Sequence, residues 1–545
     1  MHMLGYPMGF IQMTCVNLLA SNKFTDKRIA YVALCVLMDE KSEVLLLTSH
    51  TIKKDLESSN QYIVAAALNA LGEICTPDMC RDSAPEVLKL LTNNNPYIKK
   101  KAALAMGKII RKCPEQLETV GEKLNTLFED KNHGVLICGL SLITQVFKQD
   151  ATYVEKYRKY IPNLNRFLKN LSSTSYDPGY DMNGVTDPFL QVKILETLYY
   201  FGKNSAEASE EMNDLLASIS TNTDSNKNTG NAVLYELVRT IIGIESNSGL
   251  KSLASSILGK FLGHRDNNYK YVALNTLQEV AKSDLNSVQK HKGVILECLK
   301  DTDISIKRRA LDLVYLIINT SNIKSVMKEC LNFLLIAENE FKLELTTKLC
   351  QSLDKYSPSI RWEIDTSVKI LCLAGNFVND ETISSVINLI VSTPELHLYA
   401  IHKIFIAMKN NLAQEGLIKL GVYILGEMAQ ILIESTAIGP DNERITVGEE
   451  EILKLLDEIN ARRYSPNVKE YLLNCYFKLS SKFSQKSSAY LKNLLETELK
   501  SYHCEVQQRA NEYFIFSGVN DESLKKEITK RIPVAKLIKE NYVKK

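Results

Sequence analysis

The chain has 545 residues, 24% of them charged, with 66 Lys and Arg against 64 Asp and Glu for a formal net charge of +2. A balance so close to neutral excludes a protein that attracts polyanions through its overall field, and the length is ample for several domain-sized cores. The 13 Pro and 23 Gly are few for this length and suit long runs of helix.

Taken in chain order, one apolar column recurs in segments patterned at helical spacing. It starts at Leu34 in RIAYVALCVL and continues through Leu68 in YIVAAALNALGEI, Ala103 in YIKKKAALAMGKII and Leu140 in GVLICGLSLI. It then passes to Leu195 in PFLQVKILETL, Leu234 in NAVLYELV, Leu274 in YKYVALNTL and Leu311 in SIKRRALDLVYLII. Successive members lie 34, 35, 37, 55, 39, 40 and 37 residues apart. A period of roughly 40 residues belongs to HEAT and armadillo-type helix pairs. One such pair cannot bury its own apolar stripe, whereas stacked pairs can. The expected fold is therefore all-α, an α-solenoid of HEAT/armadillo-like repeats winding as a right-handed superhelix. The polar stretches 172–188, 218–230 and 436–447 read as loop insertions, and the first of them, SSTSYDPGYDMNGVTDP, accounts for the long interval. No linker divides the chain, so residues 1–545 read as a single trunk.

Two segments align without a gap, YIKKKAALAMGKII and SIKRRALDLVYLII, and place Lys99–Lys101 over Lys307–Arg309. Asp303 and Ser305 are helix starts before the second triplet. Arg308 stands four residues before Asp312, the spacing of a helix-surface ion pair, and Lys307 falls near the apolar arc, where its stem packs and its charge snorkels. These triplets read as structural features at the first turn of repeat helices. No RNA-binding motif, zinc-finger spacing or basic helix with interleaved aromatics accompanies them, so nucleic acid is not an expected partner.

The run LIKLGVYILGEMAQILI, residues 417–433, carries Lys419 and Glu427 and is expected to be a core helix rather than a membrane span. The start MHMLGYPMGFIQM lacks the basic residues of a signal peptide. Twelve Cys are scattered with no C-x-x-C, Cys75 and Cys80 being the closest pair. Cys35, Cys138 and Cys372 sit at apolar helix positions, where Cys acts as a small hydrophobe, and a reducing compartment is expected. No Walker loop, G-x-G-x-x-G, H-E-x-x-H or G-x-S-x-G occurs. His397 and His402 are five apart and lack a third ligand. Asp39–Glu40 and Glu449–Glu451 read as solvated helix ends. No catalytic activity, cofactor or metal is expected.

Specific strings carry the reading further. MHMLGYPMGFIQMTCVNLLASNKFTDKRIAYVAL, PDMCRDSAPEVLKLL, YIKKKAALA, IRKCPE, DKNHGVL, GVTDPFLQVKIL, HKGVILECLKDTDISIKRRALDL and RWEIDTSVKIL occur in order. Together they resemble the trunk of the large chains of clathrin adaptor complexes, the adaptin family, from the first residues to past 360, with a weaker resemblance to QQRANEYF. TNTDSNKNTGNAVLYE and DPFLQVKIL favour the gamma branch, with the epsilon and alpha branches and other HEAT-type scaffolds as alternatives. The resemblance implies a heterotetramer with a beta-type large chain, a medium chain and a small chain. It implies recruitment by a GTP-loaded Arf-family GTPase to the cytosolic face of trans-Golgi and endosomal membranes, sorting of cargo signals, and linkage to clathrin in coated vesicles. The family's GTPase contact uses apolar side chains on early trunk helices, and the matching positions here are Met13, Val16 and Leu47. The residue pattern alone leaves another reading open, because apolar i, i+3 pairs such as Met13 and Val16 are usually buried, which would make all three core residues. The resemblance also implies one or two helices before MHMLGYP, with the phosphoinositide site and part of the dileucine cargo site, and a hinge and ear after NYVKK. No residues are assigned to those activities.

Overall fold

In a computed structural model the described residues are 1–173, 178–223, 227–282, 284–434, 437–438, 444–445, 447–519 and 522–532. The chain divides into two compact units, Met1–Val288 and Gln289–Lys545. Both are built from antiparallel helices joined by short turns.

The apolar column runs along the interior faces of eight helices: Phe24–Leu37, Gln61–Ile74, Pro96–Lys112, His133–Gln149, Pro188–Gly202, Asn228–Gly243, Asn267–Ala281 and Ile304–Ile317. Each of its eight members, Leu34 to Leu311, is 2% exposed or less. Within the first unit the helices from Phe24–Leu37 to Asn228–Gly243 each pack on the next in the series. The helix starts recur as well. Asn60, Asn95, Asn132, Asp187, Asp266 and Asp303 each accept a hydrogen bond from a backbone N–H in the first turn of the helix that follows. Such a side-chain cap satisfies a donor that the helix itself leaves unpaired, worth about 1 kcal/mol each. At the helix starts, Phe24, Tyr62 and Tyr97 form a ladder with ring centroids 6.0 and 6.1 Å apart.

The described parts of the inserted stretches contain more order than loops, while 224–226, 436, 439–443 and 446 lie outside the described residues. Within 172–188, Asp181–Met182 pairs antiparallel with Val185–Thr186. The turn between them is Asn183-Gly184, both at positive φ, the combination that a two-residue turn of primed type requires. Residues 174–177 of that stretch lie outside the described residues. Within 218–230, the helix Ala206–Asn222 extends to 222 and the next starts at Asn228, so most of the expected loop is helical. Within 436–447, Ala437–Ile438 pairs with Arg444–Ile445.

In the second unit the apolar run at 417–433 lies in the helix Glu415–Glu434, which packs on His397–Asn410, Asp380–Val391 and Pro466–Ser480. By length and hydropathy this helix could cross a membrane, yet most of it is buried inside the unit. Its charges are matched: Lys419 pairs with Asp380 at 2.7 Å, and Glu427 pairs with Lys478. Gly416 is required at its start, because an added Cβ would stand 2.5 Å from the carbonyl oxygen of Gly375.

Candidate protein-interaction surface

Met13, Val16 and Leu47 lie on two elements that pack against each other, the helix Gly9–Leu19 and the 3-10 segment Glu43–Thr48. The helix buries Cys15 and Leu19 and turns Met13 outward, with Val16 half-buried between. In the 3-10 segment three residues make a turn, so Leu45 and Thr48 point inward while Leu46 and Leu47 point out. Met13 is 49% exposed and Leu47 59%. Met13 and Leu47 are therefore not core residues, while Val16 keeps a half-buried position. On the helix Phe24–Leu37, which packs on Gly9–Leu19, Ile29, Val32 and Val36 are also exposed, at the i, i+3, i+7 spacing of one face. Exposed apolar side chains grouped in this way make these elements a candidate interaction surface.

A buried polar knot holds the elements under this surface. The Lys27 Nζ donates to the Leu19 carbonyl oxygen at 2.9 Å and to both carboxylate oxygens of Asp55 at 2.8 and 2.7 Å. The Tyr31 hydroxyl donates to Asp55 Oδ2 at 2.8 Å. Leu19 ends the first helix, Lys27 and Tyr31 belong to the second, and Asp55 belongs to the helix Ser49–Leu56 that follows the 3-10 segment. One ammonium therefore fixes three elements at once. Burial, reinforced by the Asp55 carboxylate, pushes the Tyr31 phenol well above its ordinary pKa, so the hydroxyl stays protonated and remains the donor. Nothing in the local sequence signals this pair, because its members are 28 residues apart.

The other sequence candidates resolve into packing. Lys99 pairs with Asp130 at 2.7 Å and Lys101 donates to the Asn69 side-chain carbonyl. In the second triplet Lys307 is half-buried. Arg309, rather than Arg308, faces Asp312, at 3.9 Å, and Lys348 from a later helix meets the same carboxylate at 3.5 Å. Arg308 instead lies over the Phe341 ring, 5.6 Å from its centroid. The i, i+4 expectation failed because an aromatic face on a neighbouring helix lies within reach of that guanidinium.

His397 and His402 are buried among apolar residues, and burial lowers both imidazole pKa values. Glu449 is no merely solvated end, since it accepts hydrogen bonds from the Ser484 N–H and hydroxyl and from the Ser487 hydroxyl. Glu40 pairs with Lys112. Cys35, Cys138 and Cys372 are half-buried.

The family comparisons bear on what this surface belongs to. Residues 1–521 match the profile of the adaptin N terminal region. The chain is 46% identical over 536 residues to a Dictyostelium discoideum protein named AP-1 complex subunit gamma, covering 98% of this chain and 60% of that protein. It is 41% identical to AP-1 complex subunit gamma-2 of Arabidopsis thaliana, covering 98% of this chain and 62% of that one. The chain thus spans about three-fifths of the length of these relatives. Among solved structures, a homology model of the full-length AP-3 complex in an intermediate open conformation aligns over 97% of this chain and 96% of that one, with a TM-score of 0.56 at 19% identity. At that identity the structural likeness speaks for the fold, an α-solenoid.

Proposed function

Since this chain belongs to the adaptin family, with gamma subunits among its relatives, we propose that it is the large-subunit trunk of a heterotetrameric clathrin adaptor of gamma type. Its role is that of a scaffold rather than an enzyme. It assembles with a beta-type large chain, a medium chain and a small chain, and residues 1–545 act as one trunk. The complex selects cargo sorting signals and connects them to clathrin on the cytosolic face of trans-Golgi and endosomal membranes, which it reaches as a peripheral assembly. A GTP-loaded Arf-family GTPase docks on the apolar surface at Met13, Val16 and Leu47.

The observation that carries the scaffold reading is the family match across residues 1–521. The exposure of Met13 and Leu47 on braced elements supports the GTPase reading. Apolar side chains held outward on rigid elements lose little conformational freedom when a partner covers them, which favours binding. Obligate interfaces between large chains typically bury about 2,000 Å² or more, and stacked helix pairs offer extended surfaces for that.

Co-expression of the chain with beta-type, medium and small adaptor chains tests the assembly. A stable complex containing all four chains in equal amounts is the expected result. Recovery of the chain alone, or with coatomer or nuclear-transport partners, would overturn the reading.

A further inference from the structure

A groove of about 360 Å³ is lined by three successive helices of the first unit, Gln61–Ile74, Pro96–Lys112 and His133–Gln149. Its central ridge is Lys101, Leu104, Lys108 and Arg111, which follow one another at three- and four-residue spacing and so share a helix face. Gly72 and Gly107 line it too, each where an added Cβ would only reach ordinary contact with the next helix, at Ala105 and Leu142.

The charges in this groove are poorly compensated. Lys101 faces the Asn69 amide oxygen at 3.1 Å and Arg111 the Gln145 amide oxygen at 3.4 Å, both neutral acceptors. Lys108 makes no ion pair within 4 Å among the described residues, although Glu40, which pairs with Lys112, lies within its electrostatic reach. Glu73 is the one carboxylate in the lining, against three cations. Between the cations Leu104 stands 50% exposed. This contrasts with Lys99 on the same helix, which has its own carboxylate in Asp130.

We propose that this groove binds an acidic segment of a partner protein that carries one apolar side chain. The apolar side chain packs on Leu104, beside Gly72 and Gly107. Carboxylates on either side of it meet Lys101 on one flank and Lys108 and Arg111 on the other. The cations lie at i, i+7 and i+10 along a single helix, so the ridge spans about 15 Å, the length of a short peptide rather than of a bilayer contact. Charge complementarity sets the sign of the partner and the leucine sets its register. The assignment concerns other residues than Met13 and Leu47 and stands or falls separately from them.

The test is fluorescence anisotropy of the 545-residue chain with a labelled peptide holding one leucine flanked by glutamates. Saturable binding is expected, weakening at least tenfold with Leu104→Asp, with Lys108→Glu plus Arg111→Glu, and with serine in place of the peptide leucine. A lysine-flanked version of the peptide should bind the charge-reversed groove better than the native one, a rescue that a misfolded variant cannot give. Three outcomes overturn the proposal: absence of saturable binding, binding indifferent to Lys108 and Arg111, and stronger capture of phosphatidylserine vesicles or poly-U with no dependence on Leu104. If four-chain assembly persists while peptide binding fails, the groove inference is wrong and the adaptor reading survives.

Discussion

The helices Gly9–Leu19 and Glu415–Glu434 are both strongly apolar, yet they use that character in opposite ways. The second has neighbours on several sides and buries Leu417, Leu420, Ile424, Leu425 and Met428 almost completely. The first packs on Phe24–Leu37 and on the 3-10 segment, buries only Cys15 and Leu19, and turns Phe10 and Met13 to solvent. Their polar contacts differ in purpose as well. In the long helix Lys419 and Glu427 are charges that the core tolerates because partners meet them. Beneath the N-terminal surface, the Lys27–Asp55 knot is what holds the elements in place. Apolar composition alone therefore does not separate core from contact surface. What separates them is whether packed neighbours cover the residue and whether a rigid support holds it outward.

Substitutions can break this comparison, beginning with the largest effect. Asp55→Ala leaves the Lys27 ammonium buried without its carboxylate and should cost about 3–5 kcal/mol, read as a lower urea midpoint of the chain. Leu420→Ala in the long helix should cost about 2–5 kcal/mol, whereas Leu47→Ala should stay within about 0.5 kcal/mol because its side chain is already in water. Equal losses at Leu420 and Leu47 would erase the distinction. Gly416→Ala should cost about 1–3 kcal/mol, since its methyl group meets the Gly375 carbonyl and the helix start must shift.

Acid titration sharpens the picture of the ion pairs. Burial alone would raise the Asp130 carboxyl, but hydrogen bonds from Lys99 and the Asn132 N–H outweigh it and hold its pKa below the ordinary value. A depressed folded pKa means that the contribution is present above the unfolded carboxylate range and is lost as pH falls through the folded value. Stability monitored from neutral pH down into the acid range should therefore fall less steeply in Lys99→Met than in the parent. The smallest perturbation is thiol labelling at mildly alkaline pH. Burial pushes Cys330, Cys350 and Cys475 up to about 12, so these should react only on unfolding, while exposed Cys504 reacts in the native chain.

Much of the scaffold was legible in the sequence because burial repeats with the helix pairs. Each member of the column from Leu34 to Leu311 needed only its own local pattern to be placed, and the Asp303 start needed only the residues beside it. The hairpin at 181–186 was missed although Asn183-Gly184 is its signal, since a two-residue strand gives no alternation to detect. The partner of Arg308 was misjudged because Phe341 lies 33 positions further on and reaches it only through the fold. The same holds for the candidate site. In EVLLLTSH three leucines are chemically equal, and only the 3-10 turn sends Leu45 inward and Leu46 and Leu47 outward. The family resemblance pointed to Met13, Val16 and Leu47, while their exposure and the Lys27–Asp55 support depend on contacts between separate segments.

The most direct test of the central claim is the affinity of the four-chain complex for an Arf-family GTPase loaded with a non-hydrolysable GTP analogue, measured for the parent and for Met13→Asp plus Leu47→Asp. The account predicts binding to the GTP form over the GDP form, a loss of at least tenfold in the double variant, and an unchanged urea midpoint. Undiminished GTPase binding in the double variant, with the complex intact, would contradict it.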